Sequence, residues 1–152
     1  MRLAITLLLA WFAFFGLVAG GWQQFAPESF YAEFPGLGHH WVSPDGPYNE
    51  HLLRDVGQGN LAFGTVALVA LLTGGIWLAR ATGLAAVVAG VPHQIYHQHN
   101  VHVLPTTTDE VLQTVTLSAV TASAIALAVL AFRARPEQPG RAAQPERQGS
   151  AR

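Results

Sequence analysis

The chain has no cysteine and no lysine. The first absence excludes disulfides, thiolate metal sites and thiol redox chemistry. The second makes every fixed positive charge on a side chain an arginine. Charge is scarce altogether: Asp, Glu, Lys and Arg make up 11% of 152 residues, against about 25% in a soluble domain. Nucleic acid is excluded as a partner, because the only arginine-rich stretch is a short tail mixed with Glu, Gln and Pro. What remains is apolar: 51% of the residues, with a mean hydropathy of +0.30.

Four apolar segments are long enough to cross a hydrocarbon core, which takes roughly 20 residues. They run over about 3–21, 52–78, 81–97 and 109–132. The fold class expected is all-α, a four-transmembrane-helix bundle over residues 1–132 with an outer aromatic-rich loop. The Pro-, Gln- and Arg-rich segment 133–152 is expected to be a disordered cytoplasmic tail. The first segment, with Arg2 ahead of it and Ala19-Gly20 behind, competes with a signal peptide. Its apolar run exceeds the usual h-region of about 7–15 residues, which favours a retained helix. No internal repeat is evident.

Charge fixes the expected orientation. Seven of the eight arginines precede the first span, sit at Arg80, or follow the fourth span. Cytoplasmic loops carry the excess of basic residues. Both termini are therefore expected in the cytoplasm, with the chain a multi-pass protein of the cell (inner, cytoplasmic) membrane and the bilayer as its main partner. Arg80 marks the expected turn between spans two and three. The segments Trp22–Asn49 and His97–Thr108 face outward. Pro27 to Phe34 could form a short helix stopped by Pro35-Gly36, and Pro47 suits the first turn of the second span. Thr107 with Glu110 fits a capping box at the start of the fourth span.

All seven histidines fall on the outward side, with seven of the nine carboxylates. Two blocks carry the chemistry. In Glu50–Asn60, Glu50 and Arg54 stack at spacing four, as do His51 and Asp55. At about 100° per residue, Glu50, Arg54, Gly57, Asn60 and Gly64 share a sector of about 120°, and the glycines suggest that it faces the bundle. In Pro92–His102, His93 and His97 share a face, while His99 and His102 point away unless the chain turns after His97. His39-His40 reads as a solvated turn.

Imidazole with carboxylate suits Zn, Cu, Ni or Fe. The expected metal site joins His93 and His97 to His51, Asp55 or Glu50. Glu50, Arg54, Asp55 and Asn60 form the expected pocket for a small polar ligand. Two other functions compete. One is a membrane isomerase or hydrolase on a lipophilic substrate, with Glu50 or His51 as acid–base group and Arg54 as anion clamp. The other is a structural or accessory subunit whose small-residue faces, such as Gly57 and Gly64, or Ser118, Ala122 and Ala126, mediate packing, self-association or contact with a membrane partner. The bland alternative for Arg54 and Glu50 is mutual neutralisation at the membrane edge.

Three stretches carry a resemblance: Phe34-Pro35-Gly36 with His40-Trp41-Val42, Pro47-Tyr48-Asn49-Glu50-His51-Leu52 through Arg54-Asp55-Val56-Gly57 to Asn60-Leu61-Ala62, and Pro92-His93 with His97. Over about residues 1–132 the chain resembles a family of small, largely uncharacterised bacterial four-helix membrane proteins, loosely of the DoxX and DUF4345 type. The resemblance implies a four-helix fold and a site built from Glu50, His51, Arg54, Asp55, His93 and His97. It implies no reaction.

Overall fold

An apolar run with no proline carries helix α1 from Arg2 to Phe25. Pro27 then opens α2, Pro27–Glu33, at the position where its missing N–H costs nothing. The computed structural model describes residues 1–135. In it α2 folds back over the end of α1. The Trp22 indole N–H donates to Ser29 Oγ at 3.1 Å, and the Trp22 and Phe30 rings meet edge-on at 5.5 Å. Two-residue strands follow, β1 (Pro35–Gly36) and β2 (His39–His40), paired antiparallel with Pro35 opposite His40. The turn between them uses Gly36 and Gly38 at φ +99° and +84°.

A 3-10 turn at Ser43–Asp45 leads to α3, Glu50–Thr73. Asn49 caps it, accepting from the Leu52 N–H at 3.1 Å. Pro47 therefore lies outside the helix rather than in its first turn. The helix also ends earlier than the expected boundary at Leu78. Gly74 adopts the left-handed conformation at φ +64°, and Gly75 caps α4, Ile76–His99. The turn is glycine chemistry, and Arg80 is already helical. Pro92 lies within α4 without ending it. A 3-10 turn at Val101–Val103 then leads to α5, Thr107–Arg133. Its cap is Thr106, whose hydroxyl oxygen accepts from the Asp109 N–H at 3.1 Å. The expected pairing of Thr107 with Glu110 is thus displaced by one residue to Thr106 with Asp109. Arg133 closes α5, and residues 136–152 of the expected tail lie outside the described residues.

The described residues are all-α apart from the small hairpin, and α1, α3, α4 and α5 are each long and apolar enough to cross a membrane. They pack as two antiparallel pairs. In α1–α3 the backbones touch. A Cβ placed on Gly16 would lie 2.8 Å from Gly64 Cα, and one on Gly20 would lie 2.7 Å from Leu61 N. In α4–α5, Gly83 meets Ala128 in the same way, at 2.8 Å. Gln94 Nε2 and Gln98 Nε2 donate to Ser118 Oγ and Thr114 Oγ1 further along the seam, both at 3.1 Å. Of the expected packing row on α5, Ser118 lies in the seam but Ala122 is exposed.

The shared core gathers at one end. Ile5, Leu9 and Phe12 of α1 meet Ala67 and Ala70 of α3, Ala79 and Ala86 of α4, and Ala124, Leu127 and Ala131 of α5. Among the described residues α4 has no buried position beyond Ala86. The other end, holding Gln24, Glu50, His97 and Asp109, is more polar and buries Phe30, Trp41 and Leu104 apart from this core.

Candidate functional site

Three groups of side chains occupy the polar end. The first surrounds Arg54. Its Nε and Nη2 donate to Glu50 Oε1 at 2.9 and 2.7 Å, and its Nη1 donates to the Gln24 carbonyl. Gln24 lies in the last turn of α1, where carbonyls lack helical partners and the dipole is negative. Arg54 thus fastens the start of α3 to the end of α1. Deeper along the seam, Asn60 Nδ2 donates to Gln23 Oε1 at 2.7 Å. The polar stripe of α3 therefore packs on α1, and Arg54 is engaged on two sides. It is not presented as an anion clamp.

Beside this pair opens a cleft of about 370 Å³, lined by Ala26, Pro27, Glu28, Ser29, Tyr48, Glu50 and Arg54. Its fixed charges are two carboxylates and one arginine, and that arginine is bound to one of the carboxylates. The Tyr48 hydroxyl is held above its ordinary pKa by desolvation and by the nearby Glu50 and Glu28 carboxylates. The cleft is therefore electronegative. His51 and Asp55 stand apart from it as a surface pair, Nε2 to Oδ2 at 3.4 Å, with the His51 side chain 88% exposed.

The second group is centred on Asp109, which is 4% exposed. Oδ1 is 2.7 Å from His39 Nδ1 and accepts from the Trp41 indole N–H at 3.0 Å. Oδ2 accepts from the Thr106 hydroxyl at 2.6 Å. A buried carboxylate requires such donors. Together they pin the hairpin onto the start of α5. His39 is therefore part of a buried network and not a solvated turn. Sequence reasoning missed this group because its partners are 68 and 70 residues apart. The buried acidic residue at a helix start was the only available signal. His40 Nδ1 sits against the Ala32 carbonyl and takes no part in the network.

The third group is His93 and His97, with ring centroids 4.5 Å apart and planes 72° apart. Tyr96 packs edge-on against His97 at 5.4 Å, and its hydroxyl donates to Asp45 Oδ1 at 3.4 Å. The expected convergence of this pair with His51, Asp55 or Glu50 is not formed. Among the described residues no three His, Asp or Glu side chains are grouped to hold a metal ion. Helix α3 turns its polar stripe toward α1, so Glu50 is taken by Arg54 while His51 and Asp55 pair on the exposed flank.

Comparison with protein families, curated proteins and solved structures finds no match to this chain.

Proposed function

We propose that the chain is a four-span protein of the bacterial cell membrane, with both termini cytoplasmic, whose outward end binds a small polar ligand bearing positive charge. It would belong with the small four-helix membrane proteins that its Pro47–Asn60 and Pro92–His97 stretches resemble. Four helices of sufficient length and apolarity support the spans. Arg2, Arg80 and Arg133 at the end opposite the hairpin support the orientation.

The observation that carries the ligand class is the cleft beside Arg54. Its volume falls in the range of about 300–1,000 Å³ typical of small-molecule sites. With Arg54 held by Glu50 and the Gln24 carbonyl, an incoming anion finds no free counter-charge. An incoming cation finds Glu28, Ser29 Oγ and the Tyr48 hydroxyl. Thermal unfolding of the detergent-purified chain with choline, putrescine or phosphate tests this. A rise in Tm with a cation, lost in Glu28→Gln, is expected. Stabilisation by phosphate alone, or cation stabilisation indifferent to Glu28→Gln, would exclude it. The absence of native cysteine allows single-cysteine labelling at Leu37 and Gly74. Leu37 should react with an impermeant maleimide in intact cells and Gly74 should not.

One observation favours acid–base chemistry as a second reading. Asp109 fixes His39 through Nδ1 and leaves Nε2 free, the arrangement that positions a general base. It moves the proton-transfer role from Glu50 or His51 to His39. Turnover of a panel of long-chain acyl esters by the purified chain, abolished in His39→Gln, is expected on this reading. Activity that persists in that variant removes it.

A further inference from the structure

In α4 the residues buried in the core, Ala79, Thr82, Gly83 and Ala86, define the face turned toward the other helices. At about 100° per residue, His93 and His97 lie in the same sector as Ala79, Thr82 and Ala86. The inward face therefore changes from small core residues at the Gly75 end to imidazoles at the polar end, where no core covers it. His93 sits six residues inside the end of the helix at His99, about 9 Å at 1.5 Å per residue.

Neither imidazole hydrogen-bonds to another group among the described residues, although each presents two ring nitrogens. His93 is exposed and His97 half-buried, so both rings are open to a ligand arriving from the polar end. Their ring centroids lie 4.5 Å apart, close enough for the two to share one ligand. Histidines at spacing four on a helix can bind one ion. The Asp45 carboxylate, from the turn before α3, accepts from the Tyr96 hydroxyl, whose ring packs edge-on against His97. Turned from Tyr96 toward the pair, it would be the third, oxygen donor.

We propose that His93 and His97, completed by Asp45, bind a divalent transition-metal ion of the imidazole-preferring kind at the outward end of α4. The site replaces the expected His51, Asp55 or Glu50 with a donor from the turn before α3. It is separate from the cleft beside Arg54 and stands or falls independently of it. Two imidazoles and one carboxylate leave at least one coordination position for water or a ligand atom.

The full-length chain, purified in detergent through a tag without histidine and stripped with chelator, is titrated with Cu(II). One ion per chain is expected, with an electron paramagnetic resonance signal split by two nitrogens. Affinity should fall at least thirtyfold in His93→Ala/His97→Ala and about fivefold in Asp45→Asn. His51→Ala and His99→Ala/His102→Ala should leave it unchanged. In the unaltered protein, Zn(II) should protect His93 and His97 from diethyl pyrocarbonate while His51 continues to react, a readout that depends on no variant folding. Absence of saturable Cu(II) binding, affinity that survives loss of both histidines, affinity that tracks His51 or His99 and His102, or failure of Zn(II) to protect the pair would each overturn the proposal.

Discussion

Arg54 and Arg80 perform the same task at opposite ends of the molecule. Each is the fifth residue of its helix. Arg54 donates to the Gln24 carbonyl at the end of α1, while Arg80 donates to the Ala131 and Ala134 carbonyls at the end of α5, at 3.0 and 2.8 Å. Three residues on, Gly57 and Gly83 bring the same two helix pairs into backbone contact. A further glycine follows at Gly64 and Gly90. One device, an arginine on the partner's C-terminal carbonyls and a glycine one turn away, thus builds both antiparallel pairs.

Replacing either arginine should loosen one pair and spare the other. Charge-assisted hydrogen bonds contribute about 1.5–3 kcal/mol. Arg80, with two carbonyls and the Trp77 ring 4.4 Å away, should lie inside that range. Arg54 should contribute about 1 kcal/mol, because its side chain is 38% exposed and solvent screens it. Arg54→Ala and Arg80→Ala should add within about 0.5 kcal/mol in reversible denaturation, as distant sites do. Strong coupling between them would contradict two separate clamps.

The glycines divide by sign. A Cβ on Gly64 would lie 2.7 Å from Leu17 N, whereas one on Gly59 meets nothing within 4 Å. Gly64→Ala should destabilise by about 1–3 kcal/mol through overpacking. Gly59→Ala should stabilise by about 0.5–1 kcal/mol through restricted backbone freedom. Thermal unfolding in detergent reads both changes, and equal effects would show that the close approach is absent.

The helix cap offers a narrower test. Thr106→Ala should cost about 1 kcal/mol through loss of the bond to the Asp109 N–H. Thr107→Ala, one residue into the helix, should leave stability within about 0.5 kcal/mol. The reverse order would place the start of α5 where the sequence pattern first suggested.

Loss of Asp109 should free the hairpin before it unfolds the bundle. Asp109→Ala leaves the Trp41 indole N–H and His39 without their acceptor, a cost of about 2–4 kcal/mol. Hydrogen exchange at the Trp41 amide, which donates to the Phe34 carbonyl at 2.8 Å, should accelerate at least tenfold. Exchange across Ala124–Ala131 should change little. Uniform acceleration would mean that the hairpin and the bundle are one cooperative unit.

The helices were legible because each is a long run of apolar residues, and that property is local. The α3–α4 turn falls at Gly74-Gly75 rather than at Arg80, because a charge among apolar residues is not itself a turn signal. The Arg80 guanidinium is satisfied across the bundle by α5 rather than by solvent at a turn. The Glu50–Arg54 and His51–Asp55 pairs follow from spacing four and could be read directly. The Asp109 network and the contact between Asp45 and Tyr96 could not, because they depend on where two loops fold back. The proximity of β2 to the start of α5 is a property of the whole chain and not of any window along it.

The concentration of core at one end has a mechanical consequence. The two helix pairs share packing near the Gly74-Gly75 turn and diverge in burial toward Arg54 and His93. Across the polar end the pairs are tied by side chains alone, His39 and Trp41 to Asp109 and Tyr96 to Asp45. With those ties released, a tilt of one pair against the other would pivot at the packed end, like the jaws of a clothes-peg. A helix of 24 residues is about 36 Å long, so a tilt of about 5° displaces its far end by about 3 Å. The greatest displacement would then fall between the Arg54 cleft on one jaw and the histidine pair on the other.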